Sequence, residues 1–428
     1  MRDSVVAVLK TAPATVLEDY HRLMNLAGYR QTLDPTTPTA LKLNISWHFF
    51  YPGCSTTPWQ LDGVIRSMLR DGFDRRGIHA CNNRTVVIDA RLGERENKLL
   101  PVVQAHRIGD VHLYEGEEFI DVRDAVGDLA DRFICLNQVY PRGFRIPRRL
   151  VGENIIHLPT VKTHVFTTTT GAMKNAFGGL LNERRHWTHP VIHETLVDLL
   201  MIQKKIHRGV FAVMDGTFAG DGPGPRCMMP HVKNVILASA DQVAIDAVAA
   251  KLMGMDPLSI KFIRLAHEAG LGCGDPREIE IVGDTAAARE NWHFAGPFKK
   301  MTFASSMQHK IYWGPLKKPV EWSLKTVLAP WSYIASVVYH DSYWYPRHAD
   351  RMMKDVLGSE WGRLFQNWET AAPKADANGY PDVGSAPAEI RRMGAKAFAK
   401  SFGILGTCVL EAPEFANRKR KVVGTPAR

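Results

Sequence analysis

Short runs of β-branched and other apolar residues alternate with helical patterns over roughly the first 285 residues, and this alternation limits the fold more than any other feature of the chain. The apolar runs predict strands at residues 5–9, 41–45, 85–90, 155–161, 209–215, 234–238 and 279–282. Apolar residues at helical spacing predict helices over residues 13–27, 58–69, 242–253 and 258–269. Such strands, separated by helices, are typical of parallel sheets that are buried on both faces. The sequence therefore predicts an α/β fold with a mostly parallel sheet and helices on both faces.

The character of the chain changes after Asp284, and this change predicts two parts, residues 1–285 and residues 286–428. Seven of the ten tryptophans lie between residues 292 and 368, among short helical patterns that prolines interrupt. We expect residues 286–428 to form a mainly helical C-terminal appendage with a basic tail at residues 418–421. Its aromatic and basic character is typical of peripheral membrane contact. Packing against the first domain or against a second subunit explains the same composition, and the sequence leaves both interpretations open.

The bulk composition narrows the classes of partner. A net charge of +10 and a pI near 9.3 favour anionic partners. No basic stretch interleaved with aromatic residues resembles a nucleic-acid-binding module, so no nucleic acid is expected. The six cysteines are scattered and form no CxxC pair, so no iron–sulfur cluster is expected. Because neither a signal peptide nor a membrane-spanning run is visible, the sequence predicts a cytoplasmic protein.

The densest polar stretch of the chain reads KTHVFTTTTGAMKN over residues 162–175 and follows a predicted strand. A strand, a turn rich in hydroxyl groups and a helix that begins near Gly171 form an arrangement that binds anions, because amides at the helix start and threonine hydroxyls can hold a phosphate or a carboxylate. The glycine spacing differs from that of a Walker motif. The anion-binding residues predicted in this stretch are Lys162, Thr169, Thr170, Gly171 and Asn175, with Lys174 adding charge.

Four histidines lie within thirty residues of one another at this place in the chain. Histidine titrates near neutral pH and can transfer protons or bind a metal ion. The spacing of the last three would suit one face of a helix, but Pro190 is expected to start a new helix and interrupts that pattern. The histidines therefore predict either acid–base chemistry or a metal site formed by His164, His186, His189 and His193.

Two other strand ends carry polar side chains. Asp215 closes a predicted strand and leads into a glycine-rich loop, where an acidic residue suits a base, a metal ligand or a hydroxyl acceptor. Lys42 and Asn44 end an earlier strand, and the Ser-Thr-Thr run after them most simply caps the helix that Pro58 opens. Ligands of open α/β sheets lie beyond the carboxyl ends of strands, so we expect Lys42 and Asn44 to contribute to anion binding.

Several ordered motifs in residues 5–284 resemble the family called domain of unknown function 362. They are LKLN at residues 41–44, TTP at 56–58, KTH at 162–164, TGAMKN at 170–175, MDG at 214–216, GDGP at 220–223, ASAD at 238–241 and IDA at 245–247. Many members of the family carry ferredoxin-like cysteine clusters, so the resemblance implies a redox protein as one class of partner. This chain lacks those cysteines, and an iron–sulfur cluster is therefore not carried over to it.

A more distant likeness is to lactate racemase, whose lysine holds a nickel-pincer nucleotide. That family has one histidine ten residues before the lysine and another about sixteen residues after it. Here His164 precedes Lys174 by ten residues, and His189 follows Lys174 by fifteen. The likeness implies a metal ion or a nucleotide-derived cofactor near Lys174, although Ala172 and Met173 depart from the racemase pattern of a glycine and a basic residue.

Together these features predict an enzyme that acts on an anionic small molecule by proton or hydride transfer, as an isomerase or an oxidoreductase. His164 and Lys174 would carry the chemistry, and His189 and Asp215 would assist. Lys174 would serve as a charge clamp or, if desolvated, as a nucleophile. Two alternatives stay open: a metal- or cofactor-binding protein without turnover, and a membrane-surface or assembly protein that uses the C-terminal region.

Overall fold

The computed structural model of the chain describes residues 4–83, 87–181, 185–299, 301–314 and 335–368. Ten of the strands in these ranges form one mixed, mostly parallel sheet, and two short strands form a second sheet. The strands are β1 (Ser4–Lys10), β2 (Thr39–Leu43), β3 (Ile78–Asn82), β4 (Gly109–His112), β5 (Phe119–Asp121), β6 (Arg145–Pro147), β7 (Asn154–Leu158), β8 (Thr160–His164), β9 (Thr168–Thr169), β10 (Val210–Asp221), β11 (Met229–Ser239) and β12 (Ile279–Gly283). The main sheet runs in the order β12, β1, β11, β10, β7, β2, β3, β4, and β8 joins it through β10.

Parallel pairing joins β10, β7, β2, β3 and β4 in one half of the main sheet. In the other half β11 is antiparallel to both of its neighbours, and β12 lies parallel to β1. Successive side chains of a strand point to opposite faces. Val6 and Val8 accordingly contact one hydrophobic core, whereas Ala7 and Leu9 contact another. The sheet therefore has an apolar core on each face, which confirms the predicted α/β fold.

Helices cover both faces of the sheet. They are α1 (Val16–Leu26), α2 (Tyr29–Thr32), α3 (Pro58–Arg70), α4 (Ala90–Glu96), α5 (Leu99–His106), α6 (Val122–Val126), α7 (Leu136–Val139), α8 (Gly171–Asn175), α9 (Phe177–Leu180), α10 (Ile192–Ile206), α11 (Gln242–Leu252), α12 (Lys261–Glu268), α13 (Thr285–Ala288), α14 (Phe303–Trp313), α15 (Asp350–Leu357) and α16 (Glu360–Gln366). Helices α1, α3 and α5 pack on one face, and α8, α10, α11 and α12 pack on the other. The predicted cap of α3 is confirmed, because the Thr57 hydroxyl accepts the N–H of Gln60 and the Gln60 side chain accepts the N–H of Thr57.

The strand predicted at residues 85–90 is wrong. The strand of this region lies earlier, at Ile78–Asn82, and pairs with β2 on one side and with the edge strand β4 on the other. Ala90 instead begins helix α4, because the carboxylate of Asp89 accepts the N–H of Leu92 and caps that helix. Residues 84–86 lie outside the described residues. The apolar run was misleading because a fully buried strand and the approach to a helix can share the same composition.

The strand predicted at residues 155–161 is divided in the structure. Pro159 separates β7 from β8, and β8 continues to His164. β7 pairs with both β2 and β10, whereas β8 pairs with β10 after β2 has ended at Leu43. β8 therefore carries its side chains beyond the carboxyl end of β2, at the edge of the sheet where ligands of α/β proteins bind.

The described C-terminal residues pack against the α/β core through aromatic side chains. The Trp47 ring lies 5.9 Å from Trp344 and 4.9 Å from Tyr345. The Trp59 ring lies 5.1 Å from Trp361. Trp344 and Tyr345 belong to the segment Val338–Ala349, which has π-helical geometry and leads into α15, and Trp361 belongs to α16. Several of the tryptophans that mark the change in composition thus bury their rings on the first part of the chain, while the basic tail at residues 418–421 lies outside the described residues.

Candidate functional site

The predicted site residues converge where the chain leaves the sheet beyond the carboxyl end of β2. β8 ends at His164, a short antiparallel pairing with β9 returns the chain, and α8 then carries Lys174. A 3-10 segment, Arg185–Val191, adds His189 and is followed by α10 at Ile192, two residues later than the start predicted at Pro190. The charges of Lys174 and His189 both act on His164, so three of the four residues predicted to be catalytic lie together.

His164 is a neutral imidazole that can donate a hydrogen bond through Nε2. Its Nδ1 accepts the backbone N–H of Phe166 at 3.0 Å, which assigns the ring proton to Nε2. Burial lowers the pKa of His164 well below its usual value, and the nearby Lys174 and His189 lower it further. Within the described ranges, Nε2 has no hydrogen-bond partner, so its proton is available to a ligand.

Lys174 is a partly buried lysine that titrates near neutral pH. Burial lowers its pKa to about 8, and the positive charge of Arg185 acts in the same direction. Its Nζ lies 5.5 Å from the centre of the Phe177 ring. A lysine with this pKa is partly present as the free amine at neutral pH, so it can accept a proton as well as attract an anion.

His189 is surrounded by aromatic rings. Its ring centre lies 5.1 Å from that of Phe166, 5.4 Å from that of Tyr312 and 6.1 Å from that of Phe177. Burial, followed by the nearby His186, lowers the pKa of His189 to about 3. Its Nδ1 is buried and has no hydrogen-bond partner in the described part of the chain. His189 is therefore a second neutral imidazole beside His164.

Lys162 is fully buried and uses its ammonium group inside the protein, contrary to the predicted contact with a ligand. Its Nζ donates to Asn44 Oδ1 at 2.7 Å, to the carbonyl of Cys54 at 2.8 Å and to Thr160 Oγ1 at 2.6 Å. Three acceptors exhaust the three donors of an ammonium group. Burial lowers the pKa of Lys162 to about 7, because none of these acceptors carries a charge. Lys162 and Asn44 thus hydrogen-bond each other in the interior beside the site, and the Lys162 ammonium group is not available to a ligand.

Lys42 lies against the glycine pair at the end of the TGAMKNAFGG motif. A Cβ at Gly179 would come within 3.3 Å of Lys42 Cε, so the small residue lets helix α9 approach the lysine closely. Asn175 Nδ2 donates to the Lys42 carbonyl at 2.8 Å and joins α8 to β2. Burial lowers the pKa of Lys42 to about 8. Asn175 is therefore a structural link, and Lys42 adds positive charge at the edge of the site.

Arg226 is a residue of the site that the sequence analysis did not predict. It follows the glycine- and proline-rich loop after β10, and its charge acts on His164. Its Nη1 is buried without a hydrogen-bond partner among the described residues. Over the same ranges, none of Lys42, Lys162, Lys174 and Arg226 forms an ion pair with a carboxylate. The site is thus a cluster of cations and neutral imidazoles without a direct ion pair in these ranges, and the carboxylate of Asp341 lies near enough for its charge to interact with that of Arg226.

The start of helix α8 does not offer its amides to a ligand, and this corrects the anion site predicted around Gly171. Asp246 of α11 accepts the N–H of Ala172 at 2.5 Å and that of Met173 at 3.1 Å. Burial raises the pKa of Asp246 to about 8. The signal available in the sequence was a lone acidic residue inside the otherwise apolar pattern of α11. An internal carboxyl group thus takes the place of the ligand at this helix start.

The hydroxyl groups of Thr169 and Thr170 are buried beside the same turn. Neither Oγ1 has a hydrogen-bond partner in the described residues. The backbone N–H of Thr170 donates to the carbonyl of Lys162 at 3.1 Å and holds the turn against β8. The two threonines therefore keep unused hydroxyl donors in the part of the site where an anion was predicted.

Asp215 does not belong to this cluster, and its predicted catalytic role is wrong in structural terms. The carboxylate is fully buried, and Oδ2 accepts from Tyr20 Oη at 2.7 Å, Thr57 Oγ1 at 2.9 Å and Trp59 Nε1 at 2.9 Å. Oδ1 accepts from the backbone N–H and the hydroxyl of Thr217. A carboxylate with five donors is a structural anchor that joins α1, α3 and β10.

The four histidines predicted as a metal site do not assemble one. His193 stacks on Phe262 at 6.0 Å, and its Nδ1 is buried without a hydrogen-bond partner among the described residues. Among the described residues, one group brings three candidate donor atoms within 4.8 Å of one another, and it consists of Glu94, Asp110 and His112. Nε2 of His112 already contacts both carboxylate oxygens of Glu94, at 3.0 and 3.1 Å. The histidine donor set therefore does not fit a metal ion at the candidate site.

Three comparisons with known proteins bear on this arrangement. The model of the family described as Domain of unknown function (DUF362) matches residues 39–251. A thylakoid-associated protein of Synechocystis sp. is 27% identical over 145 residues, which cover 32% of this chain and 44% of that protein. The chain thus spans less than half the length of this relative. A crystal structure of a Thermotoga maritima protein aligns with 51% of this chain over 53% of the length of that protein. The two chains are 13% identical there, with a TM-score of 0.32.

In the part of the chain that the structure describes, no helix has both the length and the apolar character needed to cross a bilayer. The likeness to lactate racemase and the cytoplasmic location stay predictions. The family match, by contrast, covers His164, Lys174 and His189 together with Asp246 and ends before helix α14. The chain belongs to the DUF362 family, as its ordered motifs predicted.

Proposed function

We propose that the protein is an enzyme that binds a small anion at the cluster of His164, Lys174, His189 and Arg226 and transfers a proton there. The observation that carries this proposal is the pairing of a neutral imidazole with a lysine of lowered pKa, in surroundings where no carboxylate of the described residues pairs with the cations. Groups with shifted pKa values that lie together in this way are typical of active sites.

Binding of the anion relieves the repulsion among the cations. Lys174 and Arg226 are the two cations whose charges act on His164 without being tied to neutral acceptors as Lys162 is. A carboxylate or phosphate between them would gain charge-assisted hydrogen bonds, and the unused hydroxyls of Thr169 and Thr170 would add neutral donors.

The proton chemistry divides between two side chains. Arg226, which stays charged, holds the anionic group during the proton transfer. Lys174, in the molecules in which it is the free amine, takes a proton from a carbon next to the carbonyl or carboxylate of the substrate. The Nε2–H of His164 donates a hydrogen bond to the oxygen on which negative charge then develops. Return of the proton to the opposite face of that carbon inverts its configuration and gives an isomerase reaction, whereas return to the same face gives only exchange with solvent. Hydride transfer at the same place would give an oxidoreductase and would need a separate hydride acceptor.

Exchange of carbon-bound hydrogen with solvent tests the proposal. The full-length protein is incubated in D₂O with small 2-oxo, 2-hydroxy and 2-amino carboxylates. Proton NMR follows the loss of the C2 hydrogen signal of the hydroxy and amino acids and of the C3 hydrogen signal of the oxo acids. We expect exchange with at least one class, and a fall of about 10²-fold or more in Lys174→Gln and in His164→Asn. Lys204→Gln, which removes one exposed lysine charge on α10, is the control and keeps the wild-type rate. Exchange that is equally fast in Lys174→Gln, or absent with all three classes, contradicts the proposal.

A second candidate function is contact with a membrane surface through the C-terminal region. The specific observation is a row of exposed side chains on α14, where Phe303 is 72% exposed and Met307 is 37% exposed one turn later. Lys310 continues the same face. The relative from Synechocystis is named as thylakoid-associated, which agrees with this candidate. Sedimentation with lipid vesicles measures it directly, and it is compatible with catalysis at the cluster.

A further inference from the structure

Aromatic rings line the candidate site on the side of helix α14. The rings of Tyr312 and Trp313, at the end of that helix, lie 5.7 and 5.3 Å from the Phe166 ring. Phe166 in turn lies 5.6 Å from His164. The Tyr312 ring also meets His189 edge-to-face at 5.4 Å. Both imidazoles of the site are thus bordered by a continuous set of rings.

The cationic part of the site adjoins these rings directly. The Nζ of Lys174 lies over the Phe177 ring, and Phe177 stacks on His189. A ligand whose negative group reaches Lys174 would therefore place the rest of its structure among ring faces. Planar groups with π electrons gain offset-stacked or edge-to-face contacts there, whereas saturated groups gain contact area alone.

The Tyr312 hydroxyl is an unused donor at this wall. It has no hydrogen-bond partner in the described ranges, and burial raises the pKa of Tyr312 to about 12, so the group stays protonated. Tyr312 is half-buried, and a tyrosine hydroxyl without a protein partner is free to donate to solvent or to a ligand. The hydroxyl can therefore donate to an oxygen of the ligand that lies next to the ring wall.

We propose that Tyr312 and Trp313 are specificity-determining residues and that the ligand is an anion with a planar, unsaturated body, such as an aromatic carboxylate. This inference rests on the proposed function, because it takes the anion at Lys174 as given. Helix α14 lies outside residues 39–251, so this preference belongs to a segment that the family match does not include.

Paired ligands of equal charge test the inference on the full-length protein. Isothermal titration calorimetry compares benzoate with cyclohexanecarboxylate, which carry the same charge and the same number of carbon atoms but differ in planarity. Wild type should bind benzoate about two- to tenfold more tightly, the range that aromatic contacts provide. Tyr312→Leu with Trp313→Leu should abolish this preference while cyclohexanecarboxylate still binds. Tyr312→Phe should keep the preference for benzoate and reduce its affinity, because the ring stays and the hydroxyl is lost.

Two further variants separate the failure of this inference from the failure of the proposed function. Lys174→Gln should weaken the binding of both carboxylates. Tyr343→Leu, at an exposed tyrosine elsewhere in the C-terminal region, should change the affinity for neither. If wild type binds the two carboxylates with equal affinity and Lys174→Gln binds both more weakly, the preference for planar ligands is rejected and the anion site at Lys174 is retained. A preference that survives the loss of Tyr312 and Trp313 also rejects the inference. Absence of binding for both carboxylates rejects the inference and the anion site together.

Discussion

Gly171 is the residue of the candidate site whose backbone tolerates the least change. Its φ of +70° lies in the left-handed region that favours glycine, and an added Cβ would overlap the carboxyl group of Asp246. We expect Gly171→Ala to lower the free energy of unfolding by about 2–4 kcal/mol, because backbone strain adds to the loss of the hydrogen bonds from Ala172 and Met173. Urea unfolding followed by circular dichroism measures the change.

Gly116 offers a matched control for this substitution. Its φ is also +70°, and nothing lies within 4 Å of an added Cβ. Gly116→Ala should therefore cost about 1–2 kcal/mol, the strain of the backbone alone. If the two variants lost the same amount of stability, the contact between Gly171 and Asp246 would contribute nothing.

Individual side chains were predictable where sequence position alone brings them together. His164 and Lys174 are joined by one short hairpin and one turn of helix, so their proximity follows from the local motif. Asp215 shows the opposite case, because a polar residue at a strand end can point into the core when distant donors such as Tyr20 and Trp59 meet it. The choice between the two orientations depends on packing that a strand pattern does not contain.

Elements were predicted best where one physical rule dominated. The helix at residues 58–69 has a proline in its first turn and a capping box, and the structure begins that helix at Pro58. The strand at 155–161 was recognised from its apolar run, but Pro159 divides it because proline lacks the N–H that a ladder needs. The run at 85–90 failed since the cap at Asp89, rather than the apolar composition, determined the next element.

The exposed face of α14 leads to a prediction at the scale of one element. We expect the full-length protein to sediment with vesicles that contain phosphatidylglycerol and to stay in solution with pure phosphatidylcholine vesicles, because apolar side chains insert while nearby lysines attract anionic lipid. Phe303→Ser with Met307→Ser removes the two exposed apolar side chains of this face and should abolish sedimentation.

Ile134→Ser with Val151→Ser is the matched control, since both residues are exposed apolar side chains of the α/β part. This control should sediment as wild type does. Sedimentation of the α14 variant at the wild-type level, or no sedimentation of the wild type with either lipid, would rule out this face as a membrane contact.

At the scale of the whole molecule, the buried lysines make stability depend on pH. Burial lowers the pKa of Lys162 to about 7, whereas an unfolded chain keeps a lysine near its model value of 10.5. Between these values the unfolded state holds more protons, so stability that depends on Lys162 rises with pH. We expect wild type to gain about 1 kcal/mol per pH unit relative to Lys162→Met between pH 7.5 and about 9, measured by urea unfolding.

Comparison with a single-site variant cancels the titration of other groups, including the buried thiols and the carboxyl group of Asp246. Lys204→Met, at an exposed position of α10, should show no such slope against wild type. If the stability difference between wild type and Lys162→Met did not change with pH, burial and the charge of Lys174 would not lower the pKa of Lys162 in the folded protein. A slope of opposite sign would mean that an unobserved anion pairs with it.

The sequence by itself determined the α/β class, the family and the local motif that carries His164 and Lys174, because periodicity, caps and short turns act between near neighbours in the chain. Only the tertiary structure decided which carboxyl group fills the start of α8, since Asp246 lies 74 residues after Ala172. It also decided that Arg226 and the rings of Tyr312 and Trp313 border the site. Those contacts depend on how strands and helices pack at the edge of the sheet, and no local pattern encodes that geometry.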